Sequence, residues 1–185
     1  HLAGHKFNGQ TEVLEKYLSK INEKAEMLFI SKGFDVFLLT RHCALKEISI
    51  SKEMIIDKVL RLQDFYKTKK KYALCALNPH AGEDGILGSE ELDIIIPAVK
   101  ELKIMGINIT YPQPADTLFV DAVQNCIKGK KAPYDCYIAM YHDQGLIPIK
   151  SVAGDNTVNT TIGLPIIRTS PSHGTAFDIA GKNIA

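Results

Sequence analysis

Three short apolar runs, Phe34 to Leu39, Tyr72 to Leu77 and Tyr134 to Met140, read as buried strands, and a histidine follows closely on each: His42, His80 and His142. Stretches of helical spacing lie between them. Met54, Ile55, Val59, Leu62 and Phe65 form one apolar stripe behind Ser51, which reads as an N-cap. Ser89, with Glu90 and Glu91 in the first turn, opens another helix that Gly106 stops. Strands alternating with helices of this length predict an α/β protein, a three-layer α/β/α sandwich around a largely parallel sheet. Parallel strands all end on one edge, and ligands bind in the crevice beyond it. Three imidazoles brought to one edge are placed to meet around a single metal ion.

The other elements follow from the same patterning. Val13, Leu14, Tyr17, Leu18 and Ile21 predict a helix with Thr11 as N-cap. Met27 to Ile30 and Phe34 to Thr40 flank Lys32-Gly33 and suit a hairpin or two neighbouring strands. Ile107 to Thr110 reads as a short strand, and Asp116 or Thr117 opens a helix reaching Ile127. Beyond Gly145 the sequence reads as short β-like runs alternating with loops.

At 185 residues, 45% of them hydrophobic and 23% charged, the chain suits one domain with a real core. Its 22 basic and 21 acidic residues nearly cancel, leaving no global field to draw nucleic acid or a membrane surface. The basic run Lys67 to Lys71 reads as a solvated helix end. No stretch approaches the roughly 20 apolar residues of a membrane span. Cys43, Cys75, Cys126 and Cys136 show no CxxC spacing, so free thiols in a reducing cytoplasm are expected. The chain starts at His1 and stops after a glycine-bearing loop at Ala185, which reads as a piece of something longer.

Neutral imidazole suits zinc and other divalent transition metals, and three protein ligands leave a position open for substrate. His80 lies in Asn78-Pro-His-Ala-Gly-Glu83, and Asp143 follows His142 directly. Asp116, at a strand-to-helix turn, reads either as an N-cap or as a further ligand or proton acceptor in the same cleft. His42, His80, His142, Asp116 and Asp143 are thus the candidate catalytic groups. Arg168, after the apolar pair Ile166-Ile167, and Lys150, ending Gly145-Leu-Ile-Pro-Ile-Lys, are cations suited to an anionic substrate. Ser172 to Gly181 is a glycine-punctuated loop but not GxGxxG, so a standard dinucleotide fingerprint is absent.

Five strings together resemble one family. They are Leu77-Asn-Pro-His-Ala-Gly-Glu83, Pro114-Ala-Asp-Thr-Leu-Phe119, Met140-Tyr-His-Asp-Gln-Gly-Leu146, Gly163-Leu-Pro-Ile-Ile-Arg-Thr-Ser170 and Ser172-His-Gly-Thr-Ala-Phe-Asp178. They are similar to the 4-hydroxythreonine-4-phosphate dehydrogenases of pyridoxal phosphate biosynthesis. The resemblance implies an isocitrate/isopropylmalate dehydrogenase-like fold, and His42, His80 and His142 as ligands of a divalent metal (zinc, magnesium or cobalt) shared across a homodimer. It places Gln10, Thr11, Lys150, Asn159 and Arg168 at substrate positions and His173, Gly174 and Asp178 at cofactor positions. The implied reaction is NAD- or NADP-linked oxidation of the secondary hydroxyl of 4-phosphooxy-threonine, a small phosphorylated amino acid. The resulting 3-oxo acid then loses carbon dioxide.

Two departures qualify the resemblance. Gly9-Gln-Thr-Glu12 stands where the family usually has Gly-His-Thr-Glu, so an amide replaces an imidazole. His5 lies nearby in sequence. The family also has an N-terminal α/β domain and a returning C-terminal segment, so residues 1–185 are expected to be its central metal- and substrate-binding domain, binding metal weakly if it dimerises and showing little or no turnover alone. The alternatives are a β-decarboxylating dehydrogenase of isopropylmalate or isocitrate type, a metal-dependent hydrolase, and a non-catalytic dimerisation module.

Overall fold

The computed structural model of the chain describes residues 9–18, 23–172 and 177–183. Among these, the strands are β1 (Glu26–Ile30), β2 (Asp35–Leu38), β3 (Lys71–Leu74), β4 (Asn108–Ile109), β5 (Cys136–Ala139), β6 (Val158–Ile162) and β7 (Arg168–Pro171). The α-helices are α1 (Gln10–Leu18), α2 (Lys52–Tyr66), α3 (Ile96–Ile104), α4 (Ala115–Ile127) and α5 (His142–Ala153). The strands form one sheet in the order β4-β3-β5-β2-β1-β6-β7.

The sheet has two halves. β4, β3, β5 and β2 run parallel, and β1, β6 and β7 continue it through antiparallel pairings. The antiparallel wing begins at the β1–β2 hairpin, which reverses the chain at Ser31 to Phe34, where the Ser31 hydroxyl donates to Phe34 O at 2.6 Å. The expected hairpin is therefore present, and the parallel sheet occupies the half that carries the three strand-end histidines.

Alternation along the parallel strands makes a core on each face. Phe37, Tyr72, Leu74 and Ile138 pack with Ile55, Val59, Leu62, Ala98 and Leu102 of α2 and α3. Val36, Leu38, Ala73 and Tyr137 pack with Leu118, Phe119, Ala122, Leu146 and Ile149 of α4 and α5. This is the expected α/β/α layering. On the first face Glu26 of β1, 1% exposed, accepts from Lys58 Nζ (2.5 Å) and Arg61 Nη1 (2.9 Å), fastening α2 to the wing.

Ser51 caps α2 as expected, its hydroxyl accepting from Met54 N at 3.1 Å, and Gly106, at φ +85°, follows α3. Three local expectations are corrected. Thr11 lies inside α1 and is buried rather than capping it. α3 is entered through a π-helical turn at Glu91–Ile95, and Glu91 points inward instead of facing the helix end. Residues 142–153, read as loop and β-like runs, form α5. Gly145 and Pro148 disguised this helix, although Leu146, Ile149 and Ala153 bury one face at helical spacing. Gly145 is required there: a Cβ would lie 2.7 Å from Val36 Cγ1 and 2.9 Å from Ala139 Cβ. No described helix is long and apolar enough to cross a membrane.

Candidate active site

The histidines leave the carboxyl ends of three adjacent parallel strands, β3, β5 and β2, as the sheet order requires. His42 lies in the loop after β2, His142 begins α5 directly after β5, and His80 lies in the loop after β3. The rings of His42 and His142 face each other with centroids 5.9 Å apart. His80 instead opens onto a neighbouring cleft that it lines with Asp116, Tyr141 and Gln144, and Tyr141 also borders the cleft of the histidine pair.

A carboxylate addresses the same nitrogen on both paired rings. His142 Nδ1 is hydrogen-bonded to Asp143 Oδ1 at 2.7 Å, and His42 Nδ1 lies 3.4 Å from Glu12 Oε1. A proton on His142 Nδ1, shared with Asp143, would leave Nε2 as the lone-pair nitrogen, the usual arrangement behind a ligating imidazole, while Glu12 stands at ion-pair distance from His42. Glu12 is itself tethered. Arg41 Nε donates to Glu12 Oε1 at 3.0 Å, Nη2 to Glu15 Oε2 at 2.5 Å and Nη1 to Ala25 O. Burial pushes the Glu12 carboxyl up, but its own backbone N–H, the Arg41 guanidinium and His42 outweigh this and hold it below its ordinary value. Glu12 Oε2 is buried with no hydrogen-bond partner among the described residues.

Two of the three expected metal donors are therefore together and suitably backed. Among the described residues no group of three histidine, cysteine or carboxylate side chains is close enough to hold an ion, so this chain does not assemble the three-histidine set. The imidazole pair fits a divalent transition ion as part of a set, and a further donor has to come from elsewhere.

The expected substrate residues converge. Gln10, Thr11, Lys150, Asn159 and Arg168 all line one cleft of about 260 Å³, and His42 and His142 form part of its wall. They arrive from α1, α5, β6 and β7, so the antiparallel wing supplies one wall of an open cleft beside the strand edge. Lys150 stands two turns beyond His142 on α5, which brings both to the same side of that helix. Arg168 Nη2 donates to Gln10 Oε1 at 2.5 Å, and Asn159 Oδ1 is buried without a partner among the described residues. A buried acceptor without a partner is costly, and a cleft wall is where a ligand donor would satisfy it.

Asp116 lies in the first turn of α4, where no side-chain capping bond is formed, and borders the His80 cleft. The cap position of α4 is Pro114, so Asp116 is not its N-cap. Asp143 is largely exposed, and among the described residues its side chain bonds to His142. Asp178 is exposed and lines none of the histidine clefts, while His173 and Gly174 lie outside the described residues.

Both flanking loops hold left-handed backbone. His42 has φ +34°, and His80, Ala81, Gly82, Glu83 and Asp84 run consecutively at φ +52°, +54°, +80°, +45° and +53°. Each non-glycine residue held so costs about 1–2 kcal/mol and persists only where its surroundings enforce it. Sequence reasoning did not single out Glu12, Arg41 or Gln144. Gln144 Nε2 donates to Ala76 O at 2.8 Å and its Oε1 accepts from Met140 N at 2.7 Å, tying together the ends of β3 and β5. The available signal was the setting of Glu12 and Gln144 inside the strings around Gln10 and His142.

Fold and site define an α/β protein with a polar, cationic cleft beside paired imidazoles at the carboxyl edge of its parallel strands. The family model described as pyridoxal phosphate biosynthetic protein PdxA matches residues 1–185, and the chain belongs to that family. It is 44% identical over 192 residues to a 4-hydroxythreonine-4-phosphate dehydrogenase of Sulfurihydrogenibium sp. (strain YO3AOP1), covering 99% of this chain and 56% of that relative. The crystal structure of 4-hydroxythreonine-4-phosphate dehydrogenase from Klebsiella pneumoniae superposes with a TM-score of 0.76 at 36% identity, over 97% of this chain and 53% of that one. A terephthalate 1,2-cis-dihydrodioldehydrogenase from Burkholderia xenovorans LB400 superposes with a TM-score of 0.70 at 27% identity, over 98% and 57%. The chain thus spans about half the length of the proteins it matches.

Proposed function

We propose that this chain is the metal- and substrate-binding domain of a 4-hydroxythreonine-4-phosphate dehydrogenase, which oxidises 4-phosphooxy-L-threonine with NAD or NADP. The product, a 2-amino-3-oxo acid, decarboxylates to 3-amino-2-oxopropyl phosphate. The observation that carries this reading is the single cleft where Gln10, Thr11, Lys150, Asn159 and Arg168 meet the His42–His142 pair. Its volume suits a small phosphorylated amino acid rather than a dinucleotide.

Lys150 and Arg168 hold the phosphate and carboxylate of the substrate, Arg168 through paired N–H donors that Gln10 orients. Thr11 and Asn159 supply polar contacts at the wall. His42 and His142 hold the divalent ion, with Glu12 and Asp143 setting their tautomers. When bound, the ion would supply Lewis-acid polarisation of the reacting oxygen and the nicotinamide cofactor would supply the hydride acceptor. Imidazole donors favour zinc or cobalt over magnesium. His80 completes the set from the second subunit of a homodimer, and Asp116 beside it is the candidate proton acceptor. The cysteines are free thiols, in keeping with a cytoplasmic protein.

The test uses the full-length polypeptide of which this domain forms part. NADH or NADPH and carbon dioxide should appear in equal amounts, only with 4-phosphooxy-L-threonine and a divalent ion, while isopropylmalate and isocitrate stay unreacted. The 185-residue chain alone should bind the substrate but turn it over little. Metal-dependent phosphate release without nicotinamide would instead establish a hydrolase.

A further inference from the structure

We propose that Glu91, which does not line the His80 cleft, is the residue that positions His80. Glu91 is 1% exposed. Its Oε1 accepts from the backbone N–H of both Leu77 and Asn78 at 2.8 Å, and its Oε2 accepts from Asn78 Nδ2 at 2.9 Å. Among the described residues no cation pairs with it, so these donors are what this carboxylate is built to receive. Asn78 Nδ2 also donates to Glu90 Oε2 at 2.7 Å. Both residues immediately before the Pro79–Gly85 turn are therefore fixed from α3's entry.

The turn itself is moulded on the same group. A Cβ on Gly82 would lie 2.8 Å from Glu91 Oε2 and 2.9 Å from Gly88 O, and one on Gly88 would lie 2.4 Å from Asn78 Nδ2. Leu87 N closes the turn by donating to Gly82 O at 3.0 Å. The left-handed run from His80 to Asp84 has no intrinsic preference to form, so something outside it must select it. Glu91 meets that need at the start of the run and, through Gly82, at its middle. The π-helical turn at Glu91–Ile95, a departure often found at functional sites, is the local feature that accompanies its inward placement.

The importance of this positioning rests on the reading of His80 as a metal ligand, but its test does not. The labelled 185-residue chain, free of metal, is compared by NMR with Glu91→Gln and the shorter Glu91→Asp. Amide exchange at Leu77 and Asn78 should accelerate about tenfold or more, as expected for loss of charge-assisted hydrogen bonds. The imidazole signals of His80 should shift or split while those of His42 and His142 stay in place. Should Glu91→Gln not fold, Glu91→Asp carries the comparison. A lowered melting temperature with unchanged His80 signals would overturn the proposal and leave Glu91 a support of the core only. A separate zinc titration that leaves His80 unperturbed would count against the ligand reading alone.

Discussion

His42 and His142 stand with ring centroids 5.9 Å apart at the carboxyl ends of the neighbouring strands β2 and β5, each with a carboxylate near Nδ1. Two imidazoles held in this way would supply two of the four donors of a tetrahedral site if they bind an ion as proposed. His42→Ala and His142→Ala should each weaken Co²⁺ or Zn²⁺ binding by more than the roughly 10–100-fold that second-shell changes produce, and Asp143→Ala should fall within that range. Calorimetric titration of the purified chain measures this. Equal affinity in all three variants would remove the pair from the metal site. His80→Ala should matter only at protein concentrations where the chain dimerises.

Arg168 and Gln10 supply the second test. Charge-assisted hydrogen bonds contribute about 1.5–3 kcal/mol, so Arg168→Ala and Lys150→Ala should each weaken binding of the phosphorylated substrate by roughly tenfold or more. Gln10→His removes the amide acceptor that Arg168 now uses and adds an ionisable group. Substrate binding by this variant should therefore strengthen more than that of the parent as pH falls through about 6.5, on top of the change that the substrate phosphate and the cleft histidines give both proteins. Identical pH profiles for parent and variant would place Gln10 outside the phosphate subsite.

The strand-end placement of the histidines was legible because a buried strand is a short apolar run and a parallel sheet sends its ends to one edge. The order β3-β5-β2 was not legible, and it decides that His142 sits between the other two. α5 was hidden because Gly145 and Pro148 are poor helix formers in isolation, whereas Gly145 is there to admit Val36 and Ala139. The tether from Arg41 to Glu12, Glu15 and Ala25 joins segments distant in sequence, and no local pattern announces it. Glu91 resembled an ordinary first-turn acid, because its inward turn depends on the loop that wraps it.

Asp35 links the hairpin to stability against pH. Burial raises its carboxyl above the ordinary value of 3.8, against the opposing hydrogen bonds from the Tyr66 hydroxyl (2.5 Å) and Ser31 N (3.2 Å). The folded chain therefore binds this proton more tightly than the unfolded chain. Its contribution to stability is full below the ordinary carboxylate value and is lost as pH rises through the raised one. Asp35→Asn keeps an acceptor for Ser31 N and cannot ionise. Relative to the parent it should gain stability in urea unfolding as pH rises above the ordinary carboxylate value of 3.8 and through the raised one. Parallel stability curves for the two proteins would show that Asp35 ionises in the folded state as easily as in the unfolded one.

Gly145→Ala tests whether the site depends on how closely α5 rests on the sheet. The added methyl would meet Val36 Cγ1, Ala139 Cβ and Leu38 Cδ2 at 2.7–2.9 Å, and Ala139 belongs to a strand that cannot readily give way. Overpacking of this kind costs typically 1–3 kcal/mol, outweighing the better helix propensity of alanine. Because α5 carries both His142 and Lys150, any outward shift of the helix separates them from His42 and Arg168 together. Metal and substrate affinity should therefore fall in parallel with the melting temperature, although Gly145 lines neither cleft. A destabilised variant with unchanged affinity for both ligands would show that the helix absorbs the methyl without moving, and that the site tolerates strain at its base.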